Sequence, residues 1–408
     1  MAIVRVGIGH DINAQTAIKQ ALESTPKPEL VICFINFAQN IEQAYQAIRE
    51  EVSKDIPIIG GSSCGEFSSL EDSPTGDAVV VMTLQSAYLS VGVGVGQELH
   101  SQPEQAAQDA IRNAFSNLQS NPAVMSLMAI ALDRKGAKDV SRIKPYINLV
   151  LPDGASGQEE AFLRSIILES GTSTQIIGGS TANDFSVPDT YQICNGVHTG
   201  SAVVASLCSG LKMGVAMGHP YQPASKGAVV TKASGRRVYE LNGKPAAEVL
   251  KKILDSEVLT PELFVQNPFG IKSSDVFAEY TIKSAQEVHD DGSVSFYAEI
   301  PKGAFLREMK TDQAMARSRF KETLEKAVFD AGSPKEIAAV IIFNCILRHQ
   351  LKCRLQVDDM SLVKEVCGDV PVIGFNTFGE QGATQGGSIG HYNQTATVLV
   401  VGAEVITQ

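Results

Sequence analysis

The sequence predicts an α/β (mixed α+β) fold: repeated strand-helix-strand units forming mixed sheets flanked by helices, in two domains. Three observations carry this. A short motif occurs three times, an apolar β-rich run with a helical pattern after it precedes each copy, and alternating strand segments follow each copy. The copies are residues 57–67 (PIIGGSSCGEF), 175–185 (QIIGGSTANDF) and 371–381 (PVIGFNTFGEQ). Counted from the first glycines, Gly60, Gly178 and Gly374, a hydroxyl follows at plus three (Ser63, Thr181, Thr377). An acid follows at plus six (Glu66, Asp184, Glu380).

In the first unit the apolar run is Leu30 to Ile35, and Ile41, Ala44, Tyr45 and Ile48 recur at helical spacing after it. The strand beyond its motif is Ala78 to Leu84. Val91 to Gly96 then alternates valine and glycine, which reads as a strand with one face free of side chains; no lysine-ending phosphate loop is present. In the second unit the run is Val124 to Leu132, the helix carries Phe162, Leu163, Ile166 and Ile167, and the following strand is Ser201 to Leu207. In the third the run is Ala338 to Phe343, the helix carries Leu362, Val363 and Val366, and the last strand is Thr395 to Val401. The motifs stand 118 and then 196 residues apart, which excludes a regular solenoid. The extra length before the third motif contains strand-like runs at Val276 to Ile282 and Val294 to Ile300. A charged helix from about Asp312 to Ala331 follows, with Phe320, Leu324 and Val328 on one stripe. A boundary falls near residue 224, giving an N-terminal domain of two units (1–223) and a C-terminal domain (224–408).

Composition narrows the function. The 408 residues are 44% hydrophobic, enough for ordinary globular cores. A formal net charge of -11 disfavours nucleic acid, whose phosphates an acidic surface repels. No apolar run is long enough to span a bilayer, and the N-terminus reads as a strand rather than a secretion signal, so no membrane insertion and a cytoplasmic location are expected. Seven cysteines without a C-x-x-C pair read as reduced thiols, and no zinc-ligand spacing occurs.

The motif admits two readings. Ser/Thr-x-x-Asp/Glu is a capping-box spacing, in which hydroxyl and carboxylate satisfy backbone amides leaving a strand. Alternatively the three loops converge at one end of the sheets. Glycines there would admit a ligand to the backbone, and hydroxyls and acids would fix its polar groups. The ligand-binding set is then Gly60, Ser63, Glu66, Thr181, Asp184, Thr377 and Glu380. Arg348, at the end of a buried-looking run, would be positioned to hold a carboxylate. Gly61 to Gly65 also fits the Gly-x-Ser-x-Gly nucleophile elbow, but neither other copy keeps that pattern or a cysteine at the place of Cys64. A hydrolase using Ser63 or Cys64 is therefore disfavoured, and no enzyme activity is expected. Of seven histidines, His219 before Pro220 and His391 before Tyr392 stand out.

In these residues the chain resembles the FIST family, with N-terminal and C-terminal halves in tandem. The resemblance lies in Gly60 to Glu66, in Leu151 to Gly154 with Glu160, Leu163 and Arg164, and in Thr190 to Gly196. It continues in Phe343 to Cys345 with Arg348, Gly374 to Glu380, and Asn393 to Thr395. It implies a sensory input module for a small molecule, an amino acid or similar metabolite, that signals to a separate protein such as a histidine kinase or cyclic-di-GMP enzyme. No output domain is expected within the chain, since the two halves occupy it. One branch of the family binds haem b and senses nitric oxide. The segment His219 to Pro223 is similar to that branch's histidine-containing segment, with Pro220 in place of glycine and Tyr221 in place of tryptophan. His219 and His391 are the corresponding cofactor-binding candidates.

Overall fold

A computed structural model describes residues 2–70, 77–135, 146–171, 174–184, 187–272, 278–383 and 389–407, with the backbone alone for 131–135. The first unit comprises β1 (Arg5–Asp11), α1 (Ala14–Ser24), β2 (Leu30–Asn36), α2 (Ile41–Glu50), β3 (Ile58–Ser63), β4 (Glu66–Ser68) and β5 (Val79–Gln85). The second comprises β6 (Leu89–Gly96), α3 (Pro103–Asn117), α4 (Pro122–Lys135), β7 (Tyr146–Pro152), α5 (Glu159–Ser170), β8 (Gln175–Gly179), β9 (Tyr191–Cys194), β10 (Val197–Thr199) and β11 (Ala202–Ser209). The third opens with β12 (Leu211–Gly218). An inserted segment follows: β13 (Gln222–Ser234), β14 (Arg237–Leu241), β15 (Lys244–Pro245), α6 (Ala246–Ile253), α7 (Pro261–Gln266), β16 (Phe269–Ile271), β17 (Thr281–Lys283), β18 (Ala285–Val288), β19 (Val294–Phe296) and β20 (Phe305–Lys310). The third unit then resumes with α8 (Gln313–Asp330), β21 (Ile337–Cys345), α9 (Ile346–Leu355), α10 (Asp359–Cys367), β22 (Val372–Thr377), β23 (Glu380–Gly382), β24 (Gly390–Tyr392) and β25 (Ala396–Val405).

Each unit builds the same sheet: an edge strand, the unit's last strand, then a parallel pair. The orders are β1-β5-β2-β3, β6-β11-β7-β8 and β12-β25-β21-β22. The strand after the motif does not stay at home. β4 pairs with β22 of the third unit, β23 with β8 of the second, and β9 with β3 of the first. The exchange runs in a closed ring, so the three sheets cannot separate without breaking ladders.

Alternation along the strands decides the layers. Leu30, Ile32 and Phe34 of β2 face the same cluster as Ile147, Leu149 and Leu151 of β7 and Ala339, Ile341 and Phe343 of β21. This cluster is a common core inside the three sheets. Phe34, Phe343 and Phe375 pack against one another in it, with Phe34 and Phe375 centroids 4.3 Å apart. The alternate residues face outward to helices: Val31, Cys33 and Ile35 to α1 and α2, Val150 to α3 and α5, Val340 and Ile342 to α8 and α10.

The edge strands explain the valine–glycine alternation. A Cβ at Gly92, Gly94 or Gly96 would collide with the carbonyl oxygen of Ala114, Ala110 or Ala106 on α3, so this glycine stripe lets helix backbone lie on strand backbone. Gly7 and Gly9 do the same for α1, and Gly214 for α8.

The run Val124 to Leu132, expected as a strand, lies within α4. Its Ala, Met and Leu are strong helix formers, and β7 begins only at Tyr146. The charged helix is α8, capped by Asp312 accepting from Met315 N. Val294–Phe296 forms β19; of the other expected run Thr281–Lys283 forms β17, while Val276 lies outside the described residues, as does Phe185. The expected boundary at 223/224 falls within β13. The insertion forms its own eight-stranded sheet with a separate core under α6 and α7. Among the described residues no helix is long and apolar enough to cross a membrane.

Candidate functional site

The parallel pairs β2–β3, β7–β8 and β21–β22 end together with the three motif turns, the end of an α/β sheet where ligands usually bind. In the first unit Glu66 is fully buried. Its Oε2 accepts from Ser63 Oγ at 2.5 Å and Asn36 Nδ2 at 3.3 Å, and its Oε1 from Ala78 N at 2.9 Å. In the third unit Glu380 accepts from Thr377 Oγ1, from Thr395 Oγ1 at 2.5 Å and from Thr395 N at 3.2 Å. Burial pushes the Glu66 carboxyl up to about 7 and Glu380 up to about 8, against the pull of these hydrogen bonds.

The second unit departs from the offset count. Asp184 is exposed, and the matching position is Gln192. Gln192 pairs with Gly61 across the exchanged ladder, as Glu66 pairs with Phe375 and Glu380 with Gly179. Its Oε1 accepts from Ser201 N and Oγ at 3.1 and 2.9 Å, and its Nε2 donates to Thr181 Oγ1 at 2.8 Å. Ten residues separate Thr181 from Gln192 where two separate Ser63 from Glu66 and Thr377 from Glu380. The longer turn carries the strand-exchange position away from plus six. A neutral amide occupying the same frame agrees with glutamates that hold their protons. A carboxylate does enter the second copy elsewhere: Asp153, at the end of β7, accepts from Thr190 Oγ1 at 2.6 Å, and Thr190 in turn bonds Thr181.

The hydroxyl–acid pairs thus tie the ring of exchanged strands together, and Ser63, Thr181, Thr377, Glu66 and Glu380 are all buried within it. Gly60 lies inside β3, where a Cβ would strike the Cys33 carbonyl. Ser63 gives its hydrogen bond to Glu66 rather than to an imidazole or amine, and burial pushes the Cys64 thiol up to about 11. Arg348, in α9, is buried and engaged within the protein. It grips Asp359 with both terminal nitrogens at 2.7 and 3.1 Å and reaches Asn344 Oδ1, with its guanidinium over the Phe320 ring.

A cavity of about 360 Å³ adjoins this end, closed over by the inserted sheet. Asn183 and Phe378, from the second and third turns, line it, and Cys64 of the first turn packs with its wall residues Ile346 and Leu347. Two helices begin at its surface, α5 at Glu159 and α9 at Ile346, and neither N-terminus has a side-chain cap. Their first amides and dipoles favour negative charge there. Arg236, from the β13–β14 turn, reaches across to Glu159 and Glu160, each at 2.6 Å. Burial pushes Glu159 up to about 7, against Arg236. Leu347, Phe378 and Tyr297 supply apolar surface and Gln286, Asn393 and Ser295 polar groups. None of the eight residues expected from the motifs and Arg348 lines this cavity; the residue next to the hydroxyl, or two beyond it, does so in the later copies. Tandem glycines and hydroxyls marked the end of the sheets, but the lining from 286–297 had no local signal.

The two histidines lie apart. His219 borders a cavity of about 110 Å³ walled by Glu279, Arg319, Glu322 and Lys326, and His391 packs against Gly379 with Nδ1 3.2 Å from Gln381 Nε2. A haem needs an apolar slot on both faces of its ring and an accessible imidazole nitrogen. The His219 space is small and charged, far below the about 300 Å³ at which small-molecule pockets begin, and the His391 ring edge is covered by backbone. These surroundings do not fit haem. Among the described residues no group of three or more His, Cys, Asp or Glu is placed to hold a metal.

The FIST N domain matches residues 29–244 and the FIST C domain residues 246–383. An uncharacterized protein of Methanocaldococcus jannaschii is 30% identical over 193 residues, 43% of this chain and 36% of that protein. An uncharacterized protein of Mycobacterium bovis is 25% identical over 195 residues, 45% of this chain and 48% of that protein. The matched stretches thus span between a third and a half of those relatives' lengths. A cyanuric acid hydrolase from A. caulinodans aligns over 99% of this chain and 100% of its own at 8% identity, with a TM-score of 0.38.

Proposed function

The chain belongs to the FIST family, with FIST N and FIST C domains in tandem over most of its length, and from that premise we propose that it is a small-ligand sensor. Its site is the cavity between the motif turns and the inserted sheet, and its ligand an amino acid or similar metabolite. One observation carries the reading: two helix N-termini without side-chain caps open into a single cavity flanked by turns of all three units. A ligand carboxylate would lie against those amides, near Arg236. Its ammonium would take Glu159 as acceptor, and its side chain would lie on Leu347, Phe378 and Tyr297. About 360 Å³ suits a molecule of that size. The role is binding without turnover: the Ser63 hydroxyl is held by a carboxyl, and burial pushes the thiols of Cys64 and Cys345 up, away from nucleophilic thiolate. A ligand bridging the turns and the inserted sheet would draw the two together. That closure is the change a separate histidine kinase or cyclic-di-GMP enzyme would read.

A thermal-shift screen with the L-amino acids and their deaminated and amidated derivatives tests this, since a ligand of the folded state raises the melting temperature by mass action. A shift is expected for at least one compound in the native protein and not in Ala155→Trp, where an indole on the exposed rim fills the cavity mouth. No shift with any compound, or an equal shift in the tryptophan variant, would overturn the assignment.

A further inference from the structure

A second cavity, of about 490 Å³, lies on the far side of the Arg236 clasp, between α5, β24 and the inserted sheet. Glu160, Lys283, Glu299, His391, Thr281 and Tyr392 line it. Lys283, on β17, is only 7% exposed. Its ammonium makes no ion pair or hydrogen bond among the described residues, whereas the neighbouring carboxylates are already engaged. Glu160 takes Arg236 at 2.6 Å and Glu299 N at 2.8 Å, and Glu299 takes Arg164 at 3.1 Å. His391, 2% exposed, is already engaged: Gln381 Nε2 donates to its Nδ1, and the imidazole also bonds the Tyr297 backbone.

A largely buried ammonium on a cavity wall, with only the charge of the already engaged Glu160 beside it, is stabilised by a partner that meets it directly. The partner must bring acceptor oxygens, and against a buried ammonium it is best anionic. We propose that this cavity is a second ligand site, specific for a small carboxylate, in which Lys283 is the counter-cation. The site differs from the first in what it demands. Its charge for a ligand is the Lys283 ammonium, where the first site offers helix amides and the Glu159 carboxyl. Arg236 bonds Glu159 on one side and Glu160 on the other, so the two cavities share a wall.

Burial pulls the Lys283 ammonium down to about 8, against the opposing pull of Glu160, with Arg236 and Glu299 the other charges facing it. His391 stays neutral through this range, because burial pulls it down to about 3. Carboxylate affinity should therefore be greatest below pH 8 and fall about tenfold for each unit above it.

The test is calorimetric titration of the full chain with succinate and acetate, using succinamide as the uncharged isostere. Succinate or acetate should bind at millimolar concentration or better at pH 7 and succinamide should not. Lys283→Met should lose binding at least tenfold and Lys283→Arg retain it. The pH profile of the native protein serves as the check that needs no variant. Absence of carboxylate binding, equal binding of the amide, or affinity unchanged by Lys283→Met or by pH between 7 and 9.5 would each overturn the proposal. Should Lys283→Met fail to fold, the pH profile and Lys283→Arg decide.

Discussion

Replacing Glu66 and Glu380 by glutamine should make the protein more stable at pH 8 and leave it nearly unchanged at pH 5. Gln192 already fills the equivalent position of the second unit with an amide, accepting from the strand start and bonding the motif hydroxyl. Burial raises the two carboxyls from 4.5 to about 7 and about 8 in the folded protein. Between the unfolded and folded values the native state binds more protons than the unfolded chain. The sign of the linkage is therefore a loss of stability as pH rises, present in full below the unfolded value and gone above pH 8. At ~1.4 kcal/mol per unit, Glu66 accounts for about 3 kcal/mol and Glu380 somewhat more. Halving both for relaxation around a buried charge leaves a decline on the order of 4 kcal/mol. With an unfolding entropy of ~2.1 cal/mol/K per residue, that is about 5 °C in melting temperature. The assay is calorimetry of the native chain and Glu66→Gln/Glu380→Gln at pH 5, 6, 7 and 8, read as the difference between them. That difference cancels the contributions of Glu159, Lys283 and the histidines. Parallel profiles would refute the claim that these carboxyls are held neutral. A variant far less stable at every pH would refute the equivalence with Gln192.

Gly94→Ala should cost about 3 kcal/mol or more, because the new methyl meets the Ala110 carbonyl of α3 rather than a movable side chain, while Gly196→Ala, with only ordinary contacts, should stay within about 0.5 kcal/mol; chemical denaturation distinguishes them. Asp359→Asn should cost about 3–5 kcal/mol by leaving Arg348 buried without its counter-ion, with ligand affinity at the turn-end cavity unchanged in the surviving folded fraction. Of the seven thiols only Cys353 is exposed, and burial pushes Cys33, Cys194 and Cys367 up to between 11 and 12; one fast-reacting thiol is expected at pH 8, lost in Cys353→Ser, and two or more would contradict the packing.

Local pattern made the three units legible. An apolar run in alternating contact with two layers, a helix with Asn40 or Asp358 at its cap, and a glycine-hydroxyl turn are each written within about forty residues. The valine–glycine alternation of β6 could be read as a bare strand face, though not which helix would lie on it. The strand expected at Val124 to Leu132 failed because a short apolar run suits either period, and its residues favour helix.

By itself the sequence determined the repeated α/β unit, the number of copies and the place of their turns, because periodicity and turn chemistry act between neighbours in the chain. The exchange of β4, β9 and β23 among the units was decided only in three dimensions. So was the transfer of the second unit's acid position from Asp184 to Gln192, since a ladder sets equivalence by register and not by counting along the chain. The cavity walls were decided there too: Arg236, Lys283 and Tyr297 lie in an insertion that carries no repeat signal. They meet the repeated units only when a separately cored sheet packs against the ring.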